Sequence, residues 1–265
     1  MTEIPRNTDT TAAGVRAVLF DLDDTLFDHR HCAQASLAAV RQQHECFRGR
    51  PLEDLERAHG ALLEELHRDV MVGRLDVDAA RIERFRRLFL SAGVAAPDAL
   101  VRETAAAYRR AYVDARREID GAAALLARVR ERAAVVIVSN NVLEEQRGKL
   151  RHCGLDTLVD ALVVSQEEGI SKPDPEIFVR ALARVGCGPS AAVMVGDSWA
   201  ADVAGARAAG IRAVWFNRHG EPRPEPAADV MEVRSLVPAE PVLEAIFSPP
   251  SLRRVGEAGC DARRR

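Results

Sequence analysis

The chain has 265 residues, 47% of them apolar, and its 37 Lys+Arg against 40 Asp+Glu give a formal net charge of -3. That length and apolar content bury one large core, or a core with a smaller inserted domain, and exclude a disordered chain. The balanced charge provides no basic field for nucleic acid, and the longest apolar runs, such as 133–138, fall far short of the ~20 residues that cross a bilayer.

Five cysteines (Cys32, Cys46, Cys153, Cys187 and Cys260) are odd in number and form no C-x-x-C pair. That pattern argues for reduced thiols and a cytoplasmic setting rather than a disulfide framework or a structural zinc site. The Thr-rich segment 1–14 reads as a disordered N-terminus. The apolar run 15–20 then reads as a buried strand, ending abruptly in Asp21-Leu22-Asp23-Asp24-Thr25.

No strand pattern follows for more than a hundred residues. Four helical periodicities take its place: Ala33/Leu37/Val40, Leu55/Leu62/Leu66, Ile82/Phe85/Phe89 and Leu100/Thr104/Tyr108/Tyr112. Breaks fall near Gly49-Arg50-Pro51, Gly73 and 93–97. A connection of this length needs its own core, so residues 30–117 are expected to form an inserted helical bundle over the strand ends.

Beyond it, short β-rich runs alternate with helical patterns at 134–138, 161–164, 191–195, 212–216 and, more weakly, 229–233. Gly154, Gly186 and Gly210 stand where helices end, and Asp174-Pro175 caps and opens one. The expected fold class is α/β: a parallel sheet core built from 15–29 and 118–247, with the bundle inserted between its first two strands. The end of the chain, 248–265, holds five Arg against Glu257 and Asp261, a charge of +3 that leaves -6 on the rest. It reads as a disordered tail.

Three later strand ends repeat the pattern at Asp21. One ends in Ser139-Asn140-Asn141, the next leads to Ser171-Lys172-Pro173-Asp174-Pro175, and the third ends in Gly196-Asp197-Ser198, with Asp202 five residues beyond Asp197. In a parallel sheet all four map to one edge, where ligands bind. Asp21 and Asp23 crowd two carboxylates together, and two anions about 4 Å apart repel by about 4 kcal/mol at an effective dielectric near 20, so a proton or cation is required. Ser139 offers a hydroxyl at the start of a helix, a ready phosphate site, and Lys172 offers a mobile cation for the same anion. Asp21 with Asp197 offers hard oxygens suited to Mg2+, with Asp202 placed to orient the metal-bound waters. Thr25 is expected to hydrogen-bond within the turn after Asp21. His29, His31 and Cys32 match no zinc spacing, and His29 and Arg30 are placed to face the pocket from the hinge. Arg74 and Arg81 are expected on a solvated helix face, with substrate binding as the alternative.

These four ordered segments, D21-L-D-D-T25, Ser139, Lys172 before a proline, and G196-D-S-W-A-A-D202, resemble the motif set of the haloacid dehalogenase (HAD) superfamily over residues 15–233. The helical insert is similar to that superfamily's C1-type cap. The resemblance implies a Rossmann-like core in which Asp21 is the nucleophile that forms an aspartyl-phosphate. It implies that Asp23 protonates the leaving oxygen and then deprotonates the attacking water. Ser139, Asn140 and Lys172 would bind the phosphoryl group, Lys172 also offsetting its charge. Mg2+ would sit on Asp21, the backbone carbonyl of Asp23, and Asp197, with Asp202 and Thr25 in support. Dehalogenases of this superfamily lack an acid at the position of Asp23. Phosphonate-cleaving members use a cap lysine, and here the only lysines are Lys149 and Lys172, both outside the insert. The expected function is therefore Mg2+-dependent hydrolysis of a small phosphorylated metabolite of the nucleotide or sugar phosphate class, by a monomer or homodimer that binds neither nucleic acid nor membrane. A phosphotransferase or mutase, and a non-catalytic phosphate-binding regulator, are the alternatives.

Overall fold

The computed structural model describes residues 14–248. The expected loose ends, 1–14 and 248–265, and Cys260 lie outside the described residues apart from Gly14 and Ser248. Strand β1 is Ala17–Phe20, and β2, Ala134–Ser139, follows only after six helices. These are α1 (His29–Gln43), α2 (Glu45–Arg48), α3 (Leu52–Met71), α4 (Val77–Ser91), α5 (Asp98–Asp114) and α6 (Ala122–Arg130). After β2 the chain alternates through α7 (Leu143–His152), β3 (Ala161–Val164), α8 (Ser165–Glu168), α9 (Pro175–Ala183) and β4 (Ala192–Gly196). A π-helical stretch, Trp199–Ala204, leads into α10 (Gly205–Ala208), then β5 (Arg212–Phe216), β6 (Met231–Val233) and α11 (Glu240–Phe247).

The six strands are parallel in the order β3-β2-β1-β4-β5-β6. Strand β1 is central, with Phe20 level with Ile137 on one side and Val195 on the other. Chain order reverses there, the switch point at which such sheets bind ligands. Alternate residues serve opposite faces: Val18, Phe20, Val135 and Ile137 pack with Leu125, Leu126 and Ile246, while Leu19, Val136, Val138 and Met194 pack with Ile177, Phe178 and Leu182. Burial on both faces is why these strands read as unbroken apolar runs rather than alternating ones.

The structure trims and adds to the sequence pattern. Strand β1 starts at Ala17 rather than 15, although Arg16 still bonds on both sides, accepting from the Ala134 N–H at 2.9 Å and donating to the Ala191 carbonyl at 2.8 Å, and β6 starts at Met231 rather than 229. The stretch read as four helices contains a fifth, α2, a single turn whose one buried residue, Phe47, leaves no period to detect. Within the bundle α1 packs along α5 and α3, around Leu37, Val40, Phe47, Leu55, Phe85 and Phe89. Truncating a ring such as Phe85 there to alanine would cost about 3–5 kcal/mol. The chain leaves the sheet at Phe27 and returns at Glu118, and these two residues form one antiparallel bridge. Buried Asp28 pins the crossing: it accepts from Arg117 at 2.6 Å and from Arg218 at 2.8 Å, and caps α1 by accepting from the backbone of His31 at 3.3 Å. No helix among the described residues is long and apolar enough to cross a membrane.

Candidate active site

Asp21 continues β1 by one residue, its backbone N–H donating to Val195 at 3.0 Å, and is itself buried. The next turn closes tightly, with the N–H groups of Leu26 and Phe27 both donating to the Leu22 carbonyl at 3.0 and 2.9 Å. It requires Asp24 to take φ 63, a left-handed conformation that aspartate tolerates better than most residues. Strand β2 delivers Ser139, whose hydroxyl accepts from Gln146 at 2.5 Å. Asn140 clamps the lysine loop: its Nδ2 donates to the Lys172 carbonyl, and the Lys172 N–H donates to its Oδ1, both at 2.8 Å. The Asn140 amide is thus occupied, which leaves its backbone N–H as the group available to a phosphate.

Two glycines let the remaining pieces meet. A Cβ on Gly196 would lie 2.4 Å from Asp202 Cγ, so only glycine ends β4 with Asp202 folded back against it. A Cβ on Gly205 would lie 2.9 Å from Pro173 Cα, so only glycine admits the loop that carries Lys172. Lys172 Nζ then donates to Asp21 Oδ1 at 2.6 Å and to Asp202 Oδ1 at 2.7 Å, and the other Asp202 oxygen accepts from the Ser198 N–H at 3.0 Å. Thr25 serves its own turn, as expected, through its backbone N–H, which donates to the Leu22 carbonyl at 3.4 Å. Its hydroxyl reaches across to β4, accepting from the Asp197 N–H at 3.1 Å, because the two strand ends abut.

Carboxylate oxygens of Asp21, Asp197 and Asp202 lie within 4.8 Å of one another. Among the described residues Lys172 is the one cation hydrogen-bonded to this cluster, and three acids around one cation leave excess negative charge in a largely buried place. Burial pushes the Asp21 carboxyl up to about 7 despite Lys172, and Asp202 adds to the push. Burial and then Asp21 push Asp197 up to about 8. Lys172 is held in its charged form against burial by Asp202 and Asp21. Both Asp202 oxygens are already engaged, so Asp21 and Asp197 are the acids left without full compensation. An all-oxygen donor set with uncompensated negative charge fits a hard divalent cation such as Mg2+.

Asp23 faces a different environment, supplied mostly by α7, whose residues the sequence reading did not place in the site. Lys149 Nζ donates to Asp23 Oδ1 at 2.5 Å, Gln146 Nε2 to Oδ2 at 2.9 Å, and Asn141 Nδ2 to Oδ2 at 3.3 Å. Burial alone would raise the Asp23 carboxyl, but Lys149 and then His29 outweigh it and hold the group far below the usual carboxylate range. A signal was present in the sequence. Only two of the 37 Lys+Arg are lysines, and both contact the paired acids, Lys172 on Asp21 and Lys149 on Asp23. Gln146 and Lys149 also stand three apart on a helix and therefore share a face.

A cavity of about 300 Å3 lies between the bundle and these strand ends. Asp23, Asn140, Asn141 and Lys149 line its core side, and Leu63, Leu66, Val70, Phe85, Tyr108 and Tyr112 much of its bundle side. His29 faces it as expected, with Nδ1 2.7 Å from the Tyr112 hydroxyl, whereas Arg30 does not line it. Arg74 is exposed and pairs with Asp69 at 3.3 Å, outside the cavity. Arg81, expected on a solvated face, instead lines the cavity and joins Arg109 and Arg116 on Glu145 of α7, at 3.1, 2.7 and 2.7 Å. Burial would raise Glu145, but Arg109, Lys149 and Arg116 together draw it down to about 2.

A family profile of haloacid dehalogenase-like hydrolases matches residues 15–210. Among curated proteins, phosphoserine phosphatase of Thermus thermophilus is 36% identical over 82% of this chain and 94% of its own. Ribulose-1,5-bisphosphate 5-phosphatase of Halopiger xanaduensis is 34% identical over 80% of this chain and 89% of its own. Among solved structures, the HAD-hydrolase YfnB of Bacillus subtilis, bound to magnesium, superposes with a TM-score of 0.67 at 28% identity, over 87% of this chain and 99% of its own. By the profile match, and by relatives that align over four fifths of its length, the chain belongs to the haloacid dehalogenase-like hydrolase family as a phosphatase-type member.

Proposed function

We propose that the protein hydrolyses the phosphate monoester of a small metabolite in a Mg2+-dependent reaction through an aspartyl-phosphate on Asp21. The observation that carries this reading is the asymmetry of the two carboxylates at the end of β1. Asp21 lies in the excess-acid cluster with Asp197 and Asp202, while Asp23, two residues on, is held ionised by Lys149. Mg2+ held by Asp21 and Asp197, with the Asp23 carbonyl, would supply positive charge for the transferring phosphoryl group. Lys172, Ser139 and the Asn140 N–H are placed to bind that group's oxygens.

An Asp21 oxygen attacks phosphorus, the bond from phosphorus to the ester oxygen breaks, and the departing alkoxide takes a proton from Asp23. Water then attacks the acyl phosphate, gives its proton to Asp23, and releases phosphate with Asp21 regenerated. At rest Asp23 is a carboxylate, as the water-activating step needs. The entering phosphate dianion opposes the charge on Asp23 and favours the protonated form that the first step needs. Splitting one slow displacement into two is what such a covalent route accomplishes. Closure of the cavity by the bundle favours compact substrates, and the named relatives act on phosphoserine and a sugar bisphosphate.

Purified protein incubated with p-nitrophenyl phosphate should release p-nitrophenol with Mg2+ and stop when chelator is in excess. Asp21→Asn should lower kcat by on the order of 10³-fold or more with the fold intact by circular dichroism. Turnover that persists in either arm rules the proposed site out.

A further inference from the structure

Helix α4 carries four arginines on its middle turns, and three of them find carboxylates. Arg81 pairs with Asp78 and Glu145, Arg86 with Glu83 and Asp98, and Arg87 with Glu83 and Glu65. The fourth, Arg84, makes no hydrogen bond or ion pair with any of the described residues, yet it is only 9% exposed and lines the cavity. Its guanidinium lies over the face of Tyr108, whose ring centre is 6.0 Å from Cζ, at the weak limit of a cation–π interaction.

No acid of the cavity is left to serve it. Glu145 already holds three arginines, Asp23 is held by Lys149, and Glu64 is exposed and not paired with it. Neighbouring His59 is kept neutral by burial and by Arg84 itself, and brings no negative charge. Burying a guanidinium without a counter-ion is costly, and the group is normally paired when found inside. Here the missing partner has an obvious entrance, because the side chain faces the space a substrate would fill.

We infer that Arg84 is a specificity-determining residue: it receives a second anionic group, a carboxylate or a second phosphate, on the same phosphate-ester substrate whose scissile group sits at Asp21. This rests on the phosphatase reading above and narrows its substrate class to compact dianchored esters. The planar guanidinium matches either anion with two parallel hydrogen bonds. The apolar side chains around it suit a short carbon linker and strengthen the ion pair by excluding water. A neutral substrate of the same size would leave Arg84 buried and unpaired, which is how a polar group in a closed site rejects an analogue.

The test compares matched pairs in Mg2+ buffer: phosphoglycerate against glycerol phosphate for the carboxylate arm, and propanediol bisphosphate against propanediol monophosphate for the phosphate arm. In at least one arm kcat/KM should favour the anionic member by about tenfold or more. Arg84→Met should bring that ratio to within about twofold, chiefly through KM, and Arg84→Lys should restore part of it. The melting temperature of Arg84→Met should not fall, since an unpaired buried cation is removed; a structural role would lower it. A ratio near one in both arms of the unaltered protein, or Arg84→Met lowering both members of a pair equally, overturns the assignment. Failure of the phosphatase reading looks different, because then no ester, p-nitrophenyl phosphate included, releases phosphate. In that case calorimetric titration of the same pairs still reads the Kd ratio, and equal or undetectable binding of both members counts against Arg84.

Discussion

The strand-end cluster of the core and the wall of the bundle treat charge in opposite ways. In the core, Asp21, Asp197 and Asp202 crowd around Lys172, so the deficit there is positive charge. In the wall, Arg84 has no acidic partner among the described residues, so the deficit is negative charge. Between them lies Glu145 of α7, which takes Arg81, Arg109 and Arg116 and ties the bundle to the core. Each deficit points to something outside the chain: a divalent cation on one side and an anionic group of the substrate on the other. An unbalanced buried charge therefore says more about function than a balanced one, because pairing within the chain accounts for the rest.

The core side of that comparison breaks most strongly on removal of the metal. Asp21 and Asp197 are pushed up to about 7 and about 8 from the ordinary 3.8, in both cases first by loss of solvation. A folded carboxyl that titrates above its unfolded value binds more protons in the native state. Stability of the chelated protein should then fall as pH rises from about 4 to about 8 and level off above. Saturating Mg2+ should flatten that slope, since the cation replaces the protons. Melting temperatures recorded across this range with chelator and with Mg2+ decide the matter, and parallel curves would mean that the acids are compensated without a metal.

The joint between the two regions is tested by Glu145→Gln. The Glu145 carboxyl lies at about 2 against an unfolded 4.5, a difference of roughly 2.5 units that corresponds to stabilisation on the order of 3 kcal/mol at pH 7. The sign is opposite to that of the cluster: this stabilisation is complete above the unfolded value and is lost as pH falls from 4.5 toward 2. Denaturant titrations should show the substituted protein weaker at neutral pH, with the two proteins converging in acid. A constant gap at all pH values would place the loss in packing rather than in charge.

The two regions also differ in how far the sequence discloses them. Asp21, Ser139 and Asp197 each stand at the end of an apolar run, and parallel pairing brings successive run ends to one edge, so these residues and the sheet itself are visible as local patterns. Gln146 and Lys149 are not, because they sit one and two turns into a helix, where a polar residue looks like any solvated face until the helix docks. Arg84 and Arg74 are both arginines of the bundle region. Only packing makes one of them a buried cation and the other an exposed partner of Asp69. Thr25 shows the same limit at short range, since its partner Asp197 is 172 residues away in sequence and adjacent in space.

The smallest effect separates the two roles assigned to Asp23. With Lys149→Met the main counter-charge is gone, and burial, which already opposes ionisation, should move the Asp23 carboxyl upward. A shift of about one unit, equivalent to ~1.4 kcal/mol, is a moderate expectation for losing one close ion pair while His29, Gln146 and Asn141 remain. p-Nitrophenolate is a good enough leaving group to depart without a proton, so with p-nitrophenyl phosphate only the water-activating step depends on Asp23. For that ester the acid limb of kcat should move to higher pH by the same unit, because the base is lost to protonation sooner. An alkyl phosphate needs the proton as well, so its profile should shift on both limbs, the alkaline one moving upward as the acid form persists to higher pH. If the two esters shift alike, Asp23 is not the leaving-group acid; if neither shifts, Lys149 holds the carboxylate in place without setting its proton affinity.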